Sequence, residues 1–184
     1  MSIGTTVGAV RDVHRGRVVH LTVEDVRLPN GTEIALEIVR HPGAAAVAAL
    51  DDAGAVVLLR QYRHAVGGYL WEVPAGKLDG GEDPAVCAAR ELAEEAGLAA
   101  GRLERVGEVV TCPGFCDERI HLFVATVLRP VATARGADEV IDAVRAVPLD
   151  EAMAMIDRGE IRDAKTIAAL LHAARRRATD GVPA

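Results

Sequence analysis

Apolar residues alternate with polar ones in the first part of the chain and take up helical spacing toward its end. Residues 17–27 are rich in Val, Leu and Thr, and residues 32–40 set Ile34, Leu36 and Ile38 between polar neighbours. Leu28-Pro29-Asn30-Gly31 lies between them, and Asn-Gly is a strong signal for a two-stranded hairpin. Residues 44–50 and 55–60 are short apolar runs around Asp51-Asp52-Ala53-Gly54, which predicts a second hairpin. After a Gly67-Gly68 bend, residues 69–73 read as a strand. Residues 106–111 and 120–128 read as strands around a Cys-Pro-Gly loop, and 144–147 as a short one. Helices are predicted over 149–157 and 164–177, where Ile167, Leu170, Leu171 and Ala174 form one apolar stripe. Residues 1–15 carry little pattern, and residues 133–142 are small, polar and acidic, as in a mobile loop. Strands and helices intermix around one core, which predicts an α/β fold with a mixed sheet between helices. A lone hairpin is marginal in water, so the N-terminal pair must pack on something.

The most informative helix is that over residues 84–96. Asp83 can cap its free amides, and Pro84 has the right φ where its missing N–H costs nothing. Gly97 suits the left-handed residue after the last turn. Glu91, Glu94 and Glu95 share one face through their i, i+3 and i+4 spacing. Ala85, Ala89, Leu92 and Ala96 form a separate apolar face for a sheet. Arg90 precedes Glu94 by one turn and can fork onto its carboxylate. Three carboxylates on one face repel unless a cation neutralises them, and all-oxygen ligands suit Mg²⁺ or Mn²⁺. A solvated acidic face is the ordinary alternative; Gly76 and Glu82 upstream weigh against it.

Composition narrows the partners. The 184 residues fit one domain with a small accessory element. A formal charge of −6 argues against a general nucleic-acid surface. No apolar run approaches the ~20 residues of a membrane span, and the N-terminus lacks the apolar stretch of a signal peptide. A cytoplasmic protein is expected. Three cysteines, an odd number, argue against a disulfide framework. Cys112, Cys116 and His121 match no common closed zinc pattern and lack a fourth ligand.

Gly76, Glu82, Arg90, Glu91, Leu92, Glu94, Glu95, Gly97 and Leu98 match the Nudix signature G-x5-E-x7-R-E-U-x-E-E-x-G-U, where U is bulky and aliphatic. On this resemblance the fold is expected to be an α/β/α sandwich, residues 41–180, preceded by a hairpin region, residues 1–40. The reaction expected is divalent-cation-dependent cleavage of a nucleoside diphosphate linked to another group. Cys112-Pro113-Gly114, followed by Glu118, resembles the S-P-G-x-x-x-E segment of ADP-ribose pyrophosphatases, with Cys112 in place of Ser. Gln61-Tyr62-Arg63 and residues 71–76 are also similar to that subgroup. The resemblance implies ADP-ribose as substrate, AMP and ribose 5-phosphate as products, and a homodimer that exchanges its hairpins. It casts Glu91 and Glu95 as principal metal ligands, with the Ala75 carbonyl as a further one. Glu94, held by Arg90, would bind another metal or its water. Glu82 would complete the metal site or tie the loop to the helix. Arg63 would meet the diphosphate, Glu118 a ribose hydroxyl, and Gly114 would admit the substrate to the backbone. Glu72 would touch substrate or metal. Against these stand a surface arginine at a strand end and a purely structural Glu72–arginine pair. The base would be Glu139 in the late loop, with Asp138 or Asp142 as substitutes. The hairpin holds no aromatic residue, so adenine would rest on Tyr62, Trp71, Phe115 or aliphatic side chains. A GDP-mannose or UDP-sugar diphosphatase is the nearest alternative, and a non-catalytic ADP-ribose-binding module a more distant one.

Overall fold

The computed structural model describes residues 4–137 and 139–179, with the side chains of 178 and 179 left aside. The chain divides into two units, one comprising residues 4–42 with Val110–Arg119, the other Gly43–Val109 with the chain from Ile120 onward.

In the first unit β1 (Thr5–Arg15), β2 (His20–Arg27) and β3 (Glu33–Arg40) form an antiparallel sheet in that order. The predicted hairpin is β2–β3, in register from His20↔Arg40 to Arg27↔Glu33. Strand β1 is the departure from expectation. Every residue of it is exposed, so no buried face imposed an alternation that could be read. The Val110–Arg119 loop joins this unit through backbone bonds: Val39 N donates to Phe115 O at 2.7 Å, and Asp117 N to Val39 O at 3.2 Å. Arg40 then bridges two carboxylates, buried Glu24 on β2 and Asp117 on the loop.

The second unit is the expected sandwich. Strand β4 (Ala44–Ala49) is buried throughout, as for a strand covered on both faces. Its residues alternate between two cores: Ala44, Ala46 and Ala48 face one side with Leu149, Ala152, Leu170 and Ala173, whereas Ala45, Val47 and Ala49 face the other with Cys87, Ala88 and Leu92. Helix α1 (Pro84–Ala96) therefore covers one face, and α2 (Leu149–Asp157) with α3 (Ala164–Thr179) covers the opposite one. One sheet runs β7 (Ala75–Lys77), β4, β9 (Arg119–Pro130), β8 (Leu98–Val110); the other runs β10 (Ile141–Pro148), β5 (Ala55–Arg63), β6 (Gly68–Glu72). Pairing is mixed, since β4 lies parallel to β9 and antiparallel to β7.

The second predicted hairpin is reduced to its turn: Asp51 N donates to Ala55 O at 2.9 Å and Leu50 bridges Val56, but β4 itself pairs with β7 and β9 while β5 pairs with β6 and β10. Strand β8 also starts earlier than predicted, at Leu98 directly after the helix. No helix among the described residues is long and apolar enough to cross a membrane.

Candidate active site

The local chemistry of α1 matches its sequence. Asp83 accepts from Ala85 N at 2.7 Å, Pro84 occupies the first turn, and Gly97 closes the helix with φ 68°. The buried face overlaps the predicted one only in part, at Leu92 and Ala96. Ala85 and Ala89 are exposed, while Cys87, Ala88, Glu91, Leu92 and Glu95 are buried. Small alanines do not mark a face strongly, and the helix is rolled so that two glutamates point inward with Leu92.

Inward glutamates need donor partners or cations. Ala75 N donates to Glu95 Oε2 at 2.9 Å, which fastens β7 to the helix. Glu91 lies against the backbone of Gly76, and any Cβ there would fall 1.8 Å from Glu91 Oε1. Beneath this turn the Cys87 thiol donates to the carbonyls of Gly76 and Lys77, both at 3.5 Å. Burial pushes that thiol up to about 12, so Cys87 is inert packing rather than a nucleophile.

Arg90 is placed differently from its expected role. Its fork goes to Glu82, with Nε donating to Oε1 and Nη2 to Oε2, both at 3.0 Å. Nη1 donates to Glu91 at 2.7 Å and, more distantly, to Glu94 at 3.2 Å. Glu82 also accepts from Asp79 N at 3.1 Å. Glu82 thus ties the loop to the helix. The Arg90 fork holds the Glu82 carboxyl down to about 2. A depressed carboxyl contributes stability above its unfolded value of 4.5, lost as pH falls through about 2. Arg90→Met should therefore lower Tm at neutral pH, with the deficit shrinking in acid. Freed of its guide, Glu91 would misalign and activity would drop on the order of 10²-fold. Arg90→Lys keeps charge without the fork and should rescue only in part. Thermal melts between pH 2 and 7, alongside initial rates, check both statements.

The late loop is folded onto the end of α1 rather than left loose. Helix ends leave carbonyls without partners, and this loop supplies them: Val131 N donates to Gly97 O at 2.9 Å, Ala134 N to Glu94 O at 3.3 Å and Arg135 Nε to Glu95 O at 2.9 Å. The Arg135 cation also suits the negative end of the helix dipole. The result brings Glu139 to α1. Carboxylate oxygens of Glu91, Glu95 and Glu139 all lie within 4.8 Å of one another. Asp142 stands apart, in β10, paired with Arg60 at 2.9 Å. Asp138 lies outside the described residues.

At that spacing each pair of charges repels by roughly 3 kcal/mol at an effective dielectric of 20. Burial, joined by the repulsion of Glu91 and Glu139, raises the Glu95 carboxyl to about 8 against the pull of Ala75 N–H and Arg63. Burial likewise raises Glu91, with Glu94 and Glu139 adding to it. Such a cluster of hard oxygen donors fits a divalent cation, which would replace mutual repulsion by attraction.

Arg63 and Glu72 form a forked pair, Nε to Oε1 and Nη2 to Oε2, both at 2.8 Å. Gly114 and Glu118 belong to the first unit. Glu118 accepts from Thr111 Oγ1 at 2.8 Å and pairs with His41 at 3.4 Å. A Cβ at Gly114 would meet nothing within 4 Å. Of the imagined zinc ligands, His121 is engaged by Arg105 and Glu108 instead. Sequence reasoning missed Asp163, Lys165 and Thr166, which begin α3 behind Glu72 and Val73. The available signal was a lysine in the first turn of a helix, where the dipole disfavours a cation.

A carboxylate cluster on a loop-helix-loop, clasped by a late loop of an α/β/α sandwich, defines a candidate divalent-cation hydrolase site. The NUDIX domain model matches residues 39–170, and the chain belongs to that family. It is 46% identical over 160 residues to a methanol dehydrogenase activator of Bacillus methanolicus, covering 86% of each chain. It is 41% identical over 163 residues to an ADP-ribose pyrophosphatase of Bacillus subtilis, covering 88% of each. A crystal structure of an ADP compounds hydrolase shares the fold, with a TM-score of 0.84 over 98% of this chain and 97% of that one at 23% identity.

Proposed function

We propose that this chain hydrolyses the diphosphate bond of ADP-ribose, giving AMP and ribose 5-phosphate, with Mg²⁺ or Mn²⁺ as cofactor. The observation that carries the reading is the convergence of Glu91, Glu95 and Glu139 within 4.8 Å. Glu91 and Glu95, with Glu94 and the Ala75 carbonyl, would hold the cation. A bound cation supplies charge neutralisation at the phosphoryl oxygens and a lowered pKa for a water. The chain's own part is to orient and deprotonate. Glu139 would take the proton from the attacking water, and Arg90 keeps Glu91 aligned through their hydrogen bond. Arg63 would bind diphosphate oxygens, for which its planar donors suit. Gly114 and Glu118 would contact the substrate, Glu118 through a ribose hydroxyl.

The likeness to an ADP-ribose pyrophosphatase over most of both chains supports the substrate. A homodimer in the cytoplasm completes the reading. Val7, Val10, Val13 and Ile34 are exposed on the N-terminal sheet, which supports pairing through that sheet. Initial rates on ADP-ribose, GDP-mannose and a UDP-sugar with Mg²⁺ test the substrate. The expected order has ADP-ribose first; equal or faster turnover of a sugar nucleotide rejects it. Light scattering of the intact chain tests the dimer. The identity with a methanol dehydrogenase activator supports a second reading, in which the same hydrolytic site serves a partner dehydrogenase. Adding the chain to a methanol dehydrogenase assay, with and without Glu95→Gln, separates that reading from a free-standing diphosphatase.

A further inference from the structure

Lys165 lies in the first turn of α3, at the positive end of the helix dipole, with its side chain only 13% exposed. A cation there is unfavourable by itself. Two carboxylates face it: Glu72 Oε2 and, at 3.0 Å, Asp163 Oδ2. Asp163 also caps the helix, accepting from Thr166 N at 3.0 Å and Thr166 Oγ1 at 2.6 Å. Thr166 Oγ1 in turn accepts from Val73 N at 3.0 Å. The first turn of α3 thus grips Glu72 by its side chain and Val73 by its backbone. Two residues further on, Ala75 N holds Glu95.

Glu72 is 1% exposed and faces two cations. Burial opposes its charge, yet the Arg63 fork and Lys165 hold its carboxyl below the usual range, so it stays ionised. On the other side of Glu72, Arg63 has given Nε and Nη2 to this carboxylate. Its Nη1 has no hydrogen-bond partner among the described residues, and its side chain is 40% exposed. The charge of Arg63 also reaches Glu95 and favours that carboxylate.

We propose that Lys165 is a positioning residue for diphosphate recognition: by clamping Glu72 from behind with its ammonium, it fixes the Arg63 fork and keeps the open Nη1 edge directed at the substrate. The inference rests on the diphosphatase reading of the site. Without Lys165, Glu72 is held by Arg63 alone and is free to draw the guanidinium inward. With it, Glu72 is shared between two cations, Lys165 is itself anchored by Asp163, and the open Nη1 edge keeps its direction.

The test compares Lys165→Met and Lys165→Arg in the intact protein. It measures KM and kcat for ADP-ribose, the Mg²⁺ activation constant, and the Nε–H resonance of Arg63 by ¹⁵N NMR. Lys165→Met is expected to raise KM about tenfold while kcat stays within about threefold, the signature of lost substrate binding. The Mg²⁺ constant should not move, the Arg63 Nε–H signal should shift and exchange faster, and Lys165→Arg should restore most of the KM. Combining Lys165→Met with Arg63→Ala should cost no more than Arg63→Ala alone. If Lys165→Met does not fold, Lys165→Gln, which still donates to Glu72, should show the same rise in KM. An unchanged KM with an unchanged Nε–H signal overturns the proposal, and so does a fall in kcat with a raised Mg²⁺ requirement. The functional reading fails separately, if the unaltered chain cuts no nucleoside diphosphate; the Nε–H signal then decides the clamp alone.

Discussion

Glu95→Gln is expected to lower kcat by about 10²–10³-fold, the scale seen when one electrostatic stabiliser of a transition state is removed. The same substitution should make the metal-free protein more stable at alkaline pH. The two effects have one origin. Glu95 is 2% exposed, and its carboxyl is raised to about 8 by burial and by the neighbouring Glu91 and Glu139. A raised carboxyl favours the protonated folded state, so that contribution is complete below the unfolded value of 4.5 and is lost as pH climbs through about 8. Metal-free wild type should accordingly lose Tm between pH 5 and 9, with each kcal/mol worth about 2–4 °C at this chain length. Glutamine keeps the acceptor for Ala75 N without a titrating proton, so the variant's curve should be flatter over that window. Saturating Mg²⁺ should flatten the wild-type curve and leave the variant nearly unmoved. Calorimetry at several pH values, with and without Mg²⁺, checks the pair. A wild-type Tm that rises with pH in the absence of metal would show that the cluster is not strained by its own charge.

The parts of this site that could be read from sequence are those governed by neighbours along the chain. Asp83, Pro84 and Gly97 act through backbone geometry within one turn, so their residue types disclose their positions. The signature glutamates are legible because the family signature sets their spacing on one helix. Contacts between distant segments were not legible. Arg90 has several carboxylates within reach, and only the path of the 77–82 loop selects Glu82 for the fork and leaves Glu94 the weaker bond. The face of α1 is legible only at Leu92 and Ala96, because alanine carries little burial signal and because two acids lie inward beside Leu92. Strand β4 could be recognised as interior, but its partners, β7 and β9, come from remote segments. Glu139 stands out in sequence only by its reach along a loop expected to be mobile. Its approach to Glu91 and Glu95 follows from that loop's service to the carbonyls at the end of α1, a need present in any helix but assigned to this loop only by the fold.

Gly76→Ala separates the fold from the metal site most cleanly. Gly76 pairs with Ala45 in the β4–β7 ladder and does not have a positive φ, so its backbone can accept alanine. The obstacle is Glu91. An added methyl carbon would lie 1.8 Å from Oε1, 2.1 Å from Cδ and 2.7 Å from Oε2. The carboxylate is the far end of a flexible side chain and can swing away, so the cost in stability should be small. The cost in function should not be, because Glu91 would have to leave the position from which its carboxylate lies within 4.8 Å of those of Glu95 and Glu139. Cation affinity is expected to weaken by about 10–100-fold, as when groups that orient metal ligands are lost, and kcat at limiting Mg²⁺ should fall with it. High Mg²⁺ should recover part of the rate in Gly76→Ala but none in Glu95→Gln, which lacks the charge itself. Isothermal titration with Mn²⁺ and rates across a Mg²⁺ series measure the difference. A Gly76→Ala protein with wild-type cation affinity would mean that Glu91 binds no metal from the position it holds, and the ligand set would have to be drawn without it.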